Sequence, residues 1–314
     1  MKTNPYLSLV IPAFNEEESI LELITRIEDV CNEHAYTYEL IFINDGSTDK
    51  TPEIIETHRE KNDAIKLISF RRNFGKSAAL SVGFQEASGE IIITMDADLQ
   101  DDPNEISNLV KKINEGYDLV SGWKKKRHDP LEKRLPSKVF NGITSKLSGI
   151  TLNDFNCGLK AYRKDVVKTI QVYGELHRFL PVLAFWKGFK VTEIPVLHHA
   201  RKYGHSKFGA RRYFSGFFDL MTVLFIAKYK KKPMHLFGFV GLLCFMAGFG
   251  ILAYLCVLWF LGEGIGDRPL LLFGALSIIV GVQFIGVGLL GEMITNTLHG
   301  KKKSDYSIVK KVGL

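Results

Sequence analysis

Residues 91–98 read IIITMDAD, a short apolar run that ends in two aspartates separated by one alanine. An uninterrupted apolar run of this length is typical of a strand that is buried on both faces of a parallel sheet. On both sides of it, strand-like runs alternate with segments that carry apolar residues at helical spacing. We therefore predict right-handed βαβ units and an α/β domain whose mostly parallel sheet is covered by helices.

The alternation runs without a break from residue 7 to residue 122. The predicted strands are 7–12, 38–44, 65–70, 91–96 and 118–122. The predicted helices are 15–33, 51–61, 76–87 and 103–115.

Polar clusters follow four of these strands. They are Asn15-Glu16, Asn44-Asp45-Gly46, Arg71-Arg72-Asn73 and Asp96-Ala97-Asp98. Because ligands bind beyond the carboxyl ends of parallel strands, we expect all four clusters to line one rim. The two carboxylates of the last cluster suit Mg²⁺ or Mn²⁺ bridging a diphosphate. We expect Asp45 to accept a hydrogen bond from a nucleobase N–H or a ribose hydroxyl, whereas Ser47 and Asp49 are better suited to capping the next helix.

Bulk composition points to a folded protein at a membrane. The chain has 314 residues, 46% of them hydrophobic, and a net charge of +7. The positive charge clusters at 124–127, 228–232 and 301–303, and two of these clusters flank long apolar runs, which favours anionic lipid over nucleic acid. The four cysteines form no CxxC pair, so neither a zinc site nor a disulfide framework is expected. The start of the chain leads directly into a strand, so we expect no cleaved signal peptide.

Residues 236–261 and 269–291 contain no charged side chain, and each run is long enough to cross a hydrocarbon core of about 30 Å. Lysines lie before the first run and after the second, which places both chain ends on the cytoplasmic side. Basic amphipathic patterns at 131–147 and 211–232 predict two helices in the membrane interface. We predict a catalytic domain over 1–210, a juxtamembrane helix over 211–232, a transmembrane hairpin over 233–298 and a basic tail over 299–314.

Several motifs carry a family resemblance. The stretches PAFNE (12–16), NDGSTD (44–49), RRNFGKSAAL (71–80) and MDADLQDDP (95–103) resemble the family 2 glycosyltransferases, which have a Rossmann-like GT-A nucleotide-sugar fold. The stretch NDFNCGLKAYR (153–163) and the spaced residues Arg201, Gly204, Ser206 and Lys207 resemble dolichyl- and undecaprenyl-phosphate sugar synthases. With the two membrane helices, the resemblance covers nearly the whole chain.

The resemblance implies three sets of binding residues. The nucleotide sugar would be held by Pro12, Ala13, Phe14, Glu16, Asp45, Asp96, Ala97, Asp98 and Lys207. The metal, Mg²⁺ or Mn²⁺, would be held by Asp98 and Gln100 with Asp96. The lipid phosphate would be held by Arg127, Arg134, Ser137, Lys138 and Arg201. In the family, an arginine and a serine four residues later (Arg-x-x-x-Ser) bind the lipid phosphate. Four residues after Arg134 this chain has Lys138 instead of serine, and Lys133 with Ser137 is an alternative pair with the same spacing.

The implied reaction is one in-line displacement at the anomeric carbon, with inversion, in which Asp98, Asp154 and Arg201 act as catalytic residues. A phosphate acceptor is already an anion and can attack without a base. Asp154 therefore has three open roles: a base, a group that orients a hydroxyl or a cation, or a turn cap. The three histidines near residue 200, His198, His199 and His205, are expected to be structural.

The resemblance also implies substrates and location. The donor expected first is UDP-glucose, with UDP-N-acetylhexosamine and GDP-mannose as alternatives, and the acceptor is undecaprenyl phosphate, for modification of cell-envelope glycans. We expect an integral protein of the cytoplasmic (inner) membrane with a cytoplasmic catalytic domain. Some relatives are tetramers, so a homo-oligomer is one possible oligomeric state. A processive synthase would carry a Gln-x-x-Arg-Trp motif, which is absent from the sequence. A non-catalytic scaffold or transporter would not need the complete set of rim motifs.

Overall fold

A computed structural model describes residues 5–125, 141–170, 172, 176–200, 202 and 233–299, with side chains to residue 294. These residues fall into two compact units. The first contains a seven-stranded sheet with its helices, and the second contains two long apolar helices.

The sheet is mostly parallel, with strand order β3-β2-β1-β4-β6-β5-β7. Strands β3, β2, β1 and β4 are parallel to one another, β5 and β7 are parallel, and β6 runs antiparallel between β4 and β5. The strands are β1 Leu7–Ala13, β2 Tyr38–Asn44, β3 Ile65–Ser69, β4 Ile91–Thr94, β5 Leu119–Trp123, β6 Lys160–Arg163 and β7 Val191–Pro195.

Helices connect the strands and cover both faces of the sheet. Those of the first unit are α1 Ile20–Glu33, α2 Thr51–Arg59, α3 Lys76–Glu86, α4 Glu105–Asn114, α5 at 141–148 within the described residues, α6 Lys164–Thr169 and α7 Leu180–Trp186. A 3₁₀ turn at Leu176–Phe179 leads into α7. The second unit consists of α8 Pro233–Phe260 and α9 Pro269–His299.

The core has two layers because side chains alternate between the faces of each strand. On one face, Leu7, Leu9 and Ile11 of β1 pack in a cluster with buried residues of α1 and α4. On the other face, Val10 packs in a cluster with α3 and the segment around α7. Burial of the central strands on both sides explains their continuous apolar sequence and confirms the predicted α/β architecture.

Two sequence expectations for the sheet domain need correction. Helix α1 begins at Ile20 rather than at residue 15, because Asn15 has a φ of 53° and residues 14–19 form turns before the helix. Strand β6 was not among the predicted strands, and its antiparallel course brings the loop at 153–159 back towards β4. The other predicted elements up to residue 122 match the structure within a few residues at their ends.

The two helices of the second unit pack through glycines. A Cβ on Gly241 would lie 2.7 Å from the carbonyl oxygen of Gly281, and a Cβ on Gly248 would lie 2.6 Å from that of Gly274. Small residues at these crossing points allow the helix backbones to approach closely. Both helices are long and apolar enough to cross a membrane, with mean hydropathy of 2.3 for Pro233–Phe260 and 2.4 for Pro269–Ile294.

Candidate active site

The predicted rim is present at the carboxyl edge of the four parallel strands. The loops that follow β1 and β2 are joined by side-chain hydrogen bonds. The Asn15 amide N–H donates to Ser47 Oγ at 2.9 Å, the Thr48 N–H donates to Asn15 Oδ1 at 2.8 Å, and the Glu16 N–H donates to Thr51 Oγ1 at 2.9 Å. These bonds hold the left-handed turn at Asn15 and make one surface from the first two motifs.

Asp45 joins the second strand to the third. Its two carboxylate oxygens accept the N–H groups of Phe74 and Gly75 at 2.7 and 2.9 Å. The neighbouring Gly46 has a φ of 74°, and a Cβ there would lie 2.5 Å from the carbonyl carbon of Arg72. Asp45 therefore orders the loop before α3. Its contact with a nucleoside stays a prediction, as do those of Pro12, Ala13, Phe14 and Glu16 on the adjacent loop.

The Asp96-Ala97-Asp98 turn is anchored from below by α1. Ser19, which is buried at the start of that helix, donates its hydroxyl to the Ala97 carbonyl at 2.8 Å. Asp98 Oδ1 accepts the Gln100 N–H at 3.2 Å, across Leu99 with a φ of 58°. A non-glycine residue in this region of φ costs free energy and persists where the surroundings hold it. The turn fixes the direction in which the two acids leave the strand.

The chemistry of this turn fits the predicted divalent metal. Among the described residues, no three His, Cys, Asp or Glu side chains converge as a complete metal cage. Magnesium is usually bound by one or two carboxylates together with substrate phosphates and water, so Asp98 and the Gln100 amide oxygen, with or without Asp96, are a suitable protein share. The Gln100 side-chain nitrogen points the other way, donating to the His199 carbonyl at 3.4 Å.

A buried ion cluster lies directly behind the turn. The Asp101 side chain is fully buried, with Lys124 Nζ at 3.3 Å and His198 Nδ1 at 3.6 Å from its Oδ1. Burial by itself raises the pKa of Asp101, but Lys124 and His198 outweigh it and hold that pKa well below the usual range. Burial likewise lowers the pKa of Lys124, but the charge of Asp101, supported by Asp96 and Asp154, outweighs it and raises that pKa. Both groups are therefore charged at neutral pH.

A second buried lysine stands at the first position of β6. Lys160 is buried, donates to the Cys157 carbonyl, and has a lowered pKa because burial disfavours its charge. Asp154, also buried, accepts the Asn156 N–H at 3.0 Å through Oδ1. That bond is the turn cap foreseen as one role of Asp154. The catalytic role of Asp154 stays a prediction.

The segment after β7 docks on the same turn. The Leu197 N–H donates to Glu105 Oε1 at 3.0 Å, the His199 N–H donates to the Gln100 carbonyl at 2.8 Å, and His199 Nε2 lies 2.9 Å from Asp102 Oδ2. His198 and His199 thus hold the aspartates that follow the turn, as expected for structural histidines.

Some predicted site residues, together with the histidine His205, lie outside the described part of the chain. They are Arg127, Arg134, Ser137, Lys138, Arg201, His205 and Lys207. Their roles stay predictions. In turn, sequence reasoning did not assign Lys76, Lys124 or Lys160 to the site, although each lies in or beside a motif. Their shared position is a property of the folded sheet, because they come from a helix start and from the ends of two antiparallel strands.

Comparison with known proteins defines the class. The sequence profile described as "Glycosyl transferase family 2" matches residues 8–171, which include the whole rim. The chain belongs to glycosyl transferase family 2, and it is a glycosyltransferase with a GT-A-like sheet domain.

Two relatives are similar over almost their full length. A protein named dodecaprenyl-phosphate galacturonate synthase, from Rhizobium johnstonii, is 37% identical, over 98% of this chain and 92% of its own. A protein named undecaprenyl-phosphate 4-deoxy-4-formamido-L-arabinose transferase, from Salmonella choleraesuis, is 37% identical, over 92% of this chain and 88% of its own.

Among solved structures, glucosyl-3-phosphoglycerate synthase from Mycobacterium tuberculosis has the same fold. Its complex with Mn²⁺, uridine diphosphate and glucosyl-3-phosphoglycerate superposes with a TM-score of 0.55, at 20% identity, over 71% of this chain and 80% of that one. At this identity the likeness concerns the fold alone.

Proposed function

We propose that this protein transfers a sugar from a nucleoside diphosphate to a polyprenyl phosphate at a membrane surface. The observation that carries the proposal is the combination of a nucleotide-sugar rim with two helices apolar enough to cross a membrane. The names of the two relatives support it, since each specifies a polyprenyl phosphate.

The reaction that suits this site is one displacement. An oxygen of the lipid phosphate attacks the anomeric carbon, the bond from that carbon to the diphosphate breaks, and the configuration inverts. The bond-breaking electrons remain on the nucleoside diphosphate. Cations that are already ordered near the developing charge lower the barrier because they need no reorganisation. Lys124 is such a cation among the described residues, since Asp101 holds it charged and in place.

A divalent ion at Asp98 and Gln100 would supply further charge to the departing diphosphate. The protein's own contribution is the fixed turn at Leu99 and the Ser19 anchor, which set the position of the Asp98 carboxylate. Asp154 is proposed to position the acceptor or its counter-charge, because a phosphate acceptor has no proton that must be removed before attack.

Helix α5 supports the proposal that the catalytic domain touches the bilayer. Three of its uncharged polar side chains face inward: Asn141, Thr144 and Ser148 are buried, and the Asn141 amide donates to the Asn153 carbonyl at 2.7 Å. Its apolar side chains face outward, with Ile143 46% and Leu147 53% exposed. This arrangement is the reverse of an ordinary core-facing helix.

The surroundings of these two side chains match a lipid surface. Phe185 of α7 is also exposed and adjoins an apolar cavity lined by Ile150, Phe189 and Val191. Exposed Lys146 and Lys190 border this region. An apolar patch with two exposed lysines beside it suits the boundary between acyl chains and anionic headgroups. We name Ile143, Leu147 and Phe185 the apolar face.

The proposed location is the cytoplasmic membrane, with the catalytic domain and both termini on the cytoplasmic side. Basic clusters at 228–232 and 301–303 and the acidic loop between the two apolar helices support this orientation. The domain boundaries predicted from the sequence and an oligomeric state remain part of the proposal.

The proposed donor is a uridine diphosphate sugar, and the acceptor is undecaprenyl phosphate. UDP-glucose was expected first from the sequence, whereas the names of the two relatives specify galacturonate and formamido-arabinose. We therefore place a hexuronic acid beside glucose as the sugar to test, with N-acetylhexosamine and GDP-mannose as further candidates.

The deciding experiment uses the full chain in nanodiscs that contain undecaprenyl phosphate. UDP-glucose, UDP-galacturonate, UDP-N-acetylglucosamine and GDP-mannose are offered separately with Mn²⁺ or Mg²⁺, and lipid-linked product is followed by mass. We expect one donor to give a monoglycosyl phospholipid. Formation of no lipid product with any donor, together with donor hydrolysis to free sugar, would contradict the proposed acceptor.

The metal and the apolar face are tested by separate variants. Asp98→Asn should reduce transfer by more than a hundredfold at saturating metal, and membrane insertion should be unchanged; full activity would remove the metal from the proposal.

Ile143→Ser with Leu147→Ser should raise the KM for lipid in vesicles and leave UDP binding unchanged. Leu21→Ser, an equally exposed leucine on α1, is the matched control.

A further inference from the structure

The carboxylate of Asp96 is held from two sides. On one side, Lys76 Nζ donates to Oδ1 in an ion pair whose side chains are only 29% and 34% exposed. On the other side lies the backbone of Gly158, where an added Cβ would be 2.5 Å from Asp96 Oδ2. Thr94 fixes that backbone by donating its hydroxyl to the Gly158 carbonyl at 2.8 Å. Asp96 therefore has a defined position and a defined counter-charge.

Lys76 is itself placed by a rigid backbone. It is the first residue of α3, and the two N–H groups that precede it, on Phe74 and Gly75, are bound by Asp45. The residue that follows it, Ser77, bonds through its hydroxyl to His177 Nδ1 at 2.8 Å. The lysine is thus fixed on both sides along the chain, and its pairing with Asp96 follows from the fold.

We propose that Lys76 is a positioning residue which assigns different tasks to the two aspartates of the turn. By neutralising Asp96, it confines the divalent ion to Asp98 and keeps Asp96 for the sugar nucleotide. The inference rests on the metal site of the proposed function.

The physical reason is competition between an ammonium group and a divalent ion for one carboxylate. A metal that bridged both aspartates would approach the Lys76 ammonium and be repelled by it. If that charge is removed, Asp96 becomes available as a ligand and the turn gains one negative charge. If the divalent ion and the Lys76 ammonium are about 6 Å apart and are screened as in water, loss of their repulsion corresponds to about a tenfold gain in affinity for the ion.

The test measures Mn²⁺ binding to the full chain in detergent without nucleotide or lipid, from the electron paramagnetic resonance signal of free Mn²⁺. Lys76→Met should tighten Mn²⁺ binding by about tenfold. Lys76→Arg, which keeps the charge, should bind like the wild type. Lys66→Met is the matched control. Lys66 lies near the start of β3, away from the turn, and forms an ion pair with Glu39 on β2.

The outcomes separate the inference from its rivals. Unchanged or weaker Mn²⁺ binding in Lys76→Met would overturn it. A lysine whose task is to bind the donor diphosphate would instead show weaker UDP binding with unchanged Mn²⁺ binding, which also overturns it. Thermal unfolding of each variant shows whether the fold is kept. If the Met variant fails to fold, Lys76→Gln, which also removes the charge, takes its place with the same expected gain in Mn²⁺ affinity. If the wild-type chain transfers no sugar, yet Lys76→Met still binds Mn²⁺ more tightly than the wild type, the proposed function fails and this inference stands.

Discussion

Replacement of Asp101 by asparagine should destabilise the sheet domain because it leaves a buried lysine without its main counter-charge. Asp101 is fully buried, Lys124 is 16% exposed, and the two atoms that pair them are 3.3 Å apart. Asparagine keeps the shape of the side chain and removes only the charge. The expected loss is therefore electrostatic.

Its magnitude follows from the geometry. At an effective dielectric constant of about 20, unit charges 3.3 Å apart attract by roughly 5 kcal/mol. Part of this lost attraction is offset, because an asparagine can be buried without the cost of desolvating a carboxylate. In addition, Lys124 keeps its attraction to Asp96 and Asp154. We expect a net loss of about 2–3 kcal/mol, near the lower end of values for breaking a buried pair. For a domain of roughly 200 residues, this corresponds to a fall in Tm of about 5–10 °C.

The pH dependence has a definite sign. The pKa of Asp101 is lowered in the folded protein, so its stabilising effect is present above the usual value of about 3.9 and is lost as pH falls through the lowered value. The pKa of Lys124 is raised, so its effect is present below about 10.4 and is lost only above the raised value. The difference in Tm between wild type and Asp101→Asn should therefore be constant from pH 8 to pH 9, where His198 is not expected to change charge, and should narrow below about pH 4.

The assay is thermal unfolding of the full chain in detergent, followed by tryptophan fluorescence at each pH. Glu115→Gln, which removes an exposed ion pair with Lys112, should leave Tm unchanged. Addition of Lys124→Met to Asp101→Asn should restore part of the stability, because the buried charge is removed with its partner. A Tm for Asp101→Asn within 1 °C of the wild type, or a double variant less stable than either single one, would refute the reasoning.

Three further outcomes are expected. Asp45→Ala should weaken UDP binding by about tenfold or more and increase hydrogen exchange at residues 72–76, since two backbone N–H groups lose their acceptor. UDP titration and hydrogen-exchange mass spectrometry measure the two effects, and unchanged exchange would contradict the prediction. Gly281→Leu should lower the yield of folded protein because its side chain would enter the backbone of α8, whereas Gly286→Leu, with open space around it, should not; equal yields would count against the glycine contact. Ser19→Ala should lower Tm by about 2–4 °C and reduce kcat, because the Ala97 carbonyl loses a buried hydrogen bond. The control is Ser107→Ala, which removes a solvent-exposed hydrogen bond to the Asn104 carbonyl, and equal effects of the two variants would contradict the role of Ser19.

The sequence by itself determined the sheet domain and the chemistry of its rim. Continuous apolar runs such as 91–94 can be buried only on both faces of a parallel sheet, and parallel strands bring the polar residues after them to one edge. The positions of Asp45, Asp96 and Asp98 at that edge follow from chain order alone. Two long uncharged runs likewise predict helices that match the length of a membrane core.

Tertiary structure decided which charges meet. Lys76 pairs with Asp96 across 20 residues, and Lys124 reaches Asp101 from another strand end. No local pattern encodes such pairs, because periodicity reports which face of an element is buried and not which element lies opposite. The antiparallel return of β6, and with it the position of Asp154, also depends on strand order. The outward-facing apolar side of α5 had a sequence signal, but only packing showed that its polar side is the buried one.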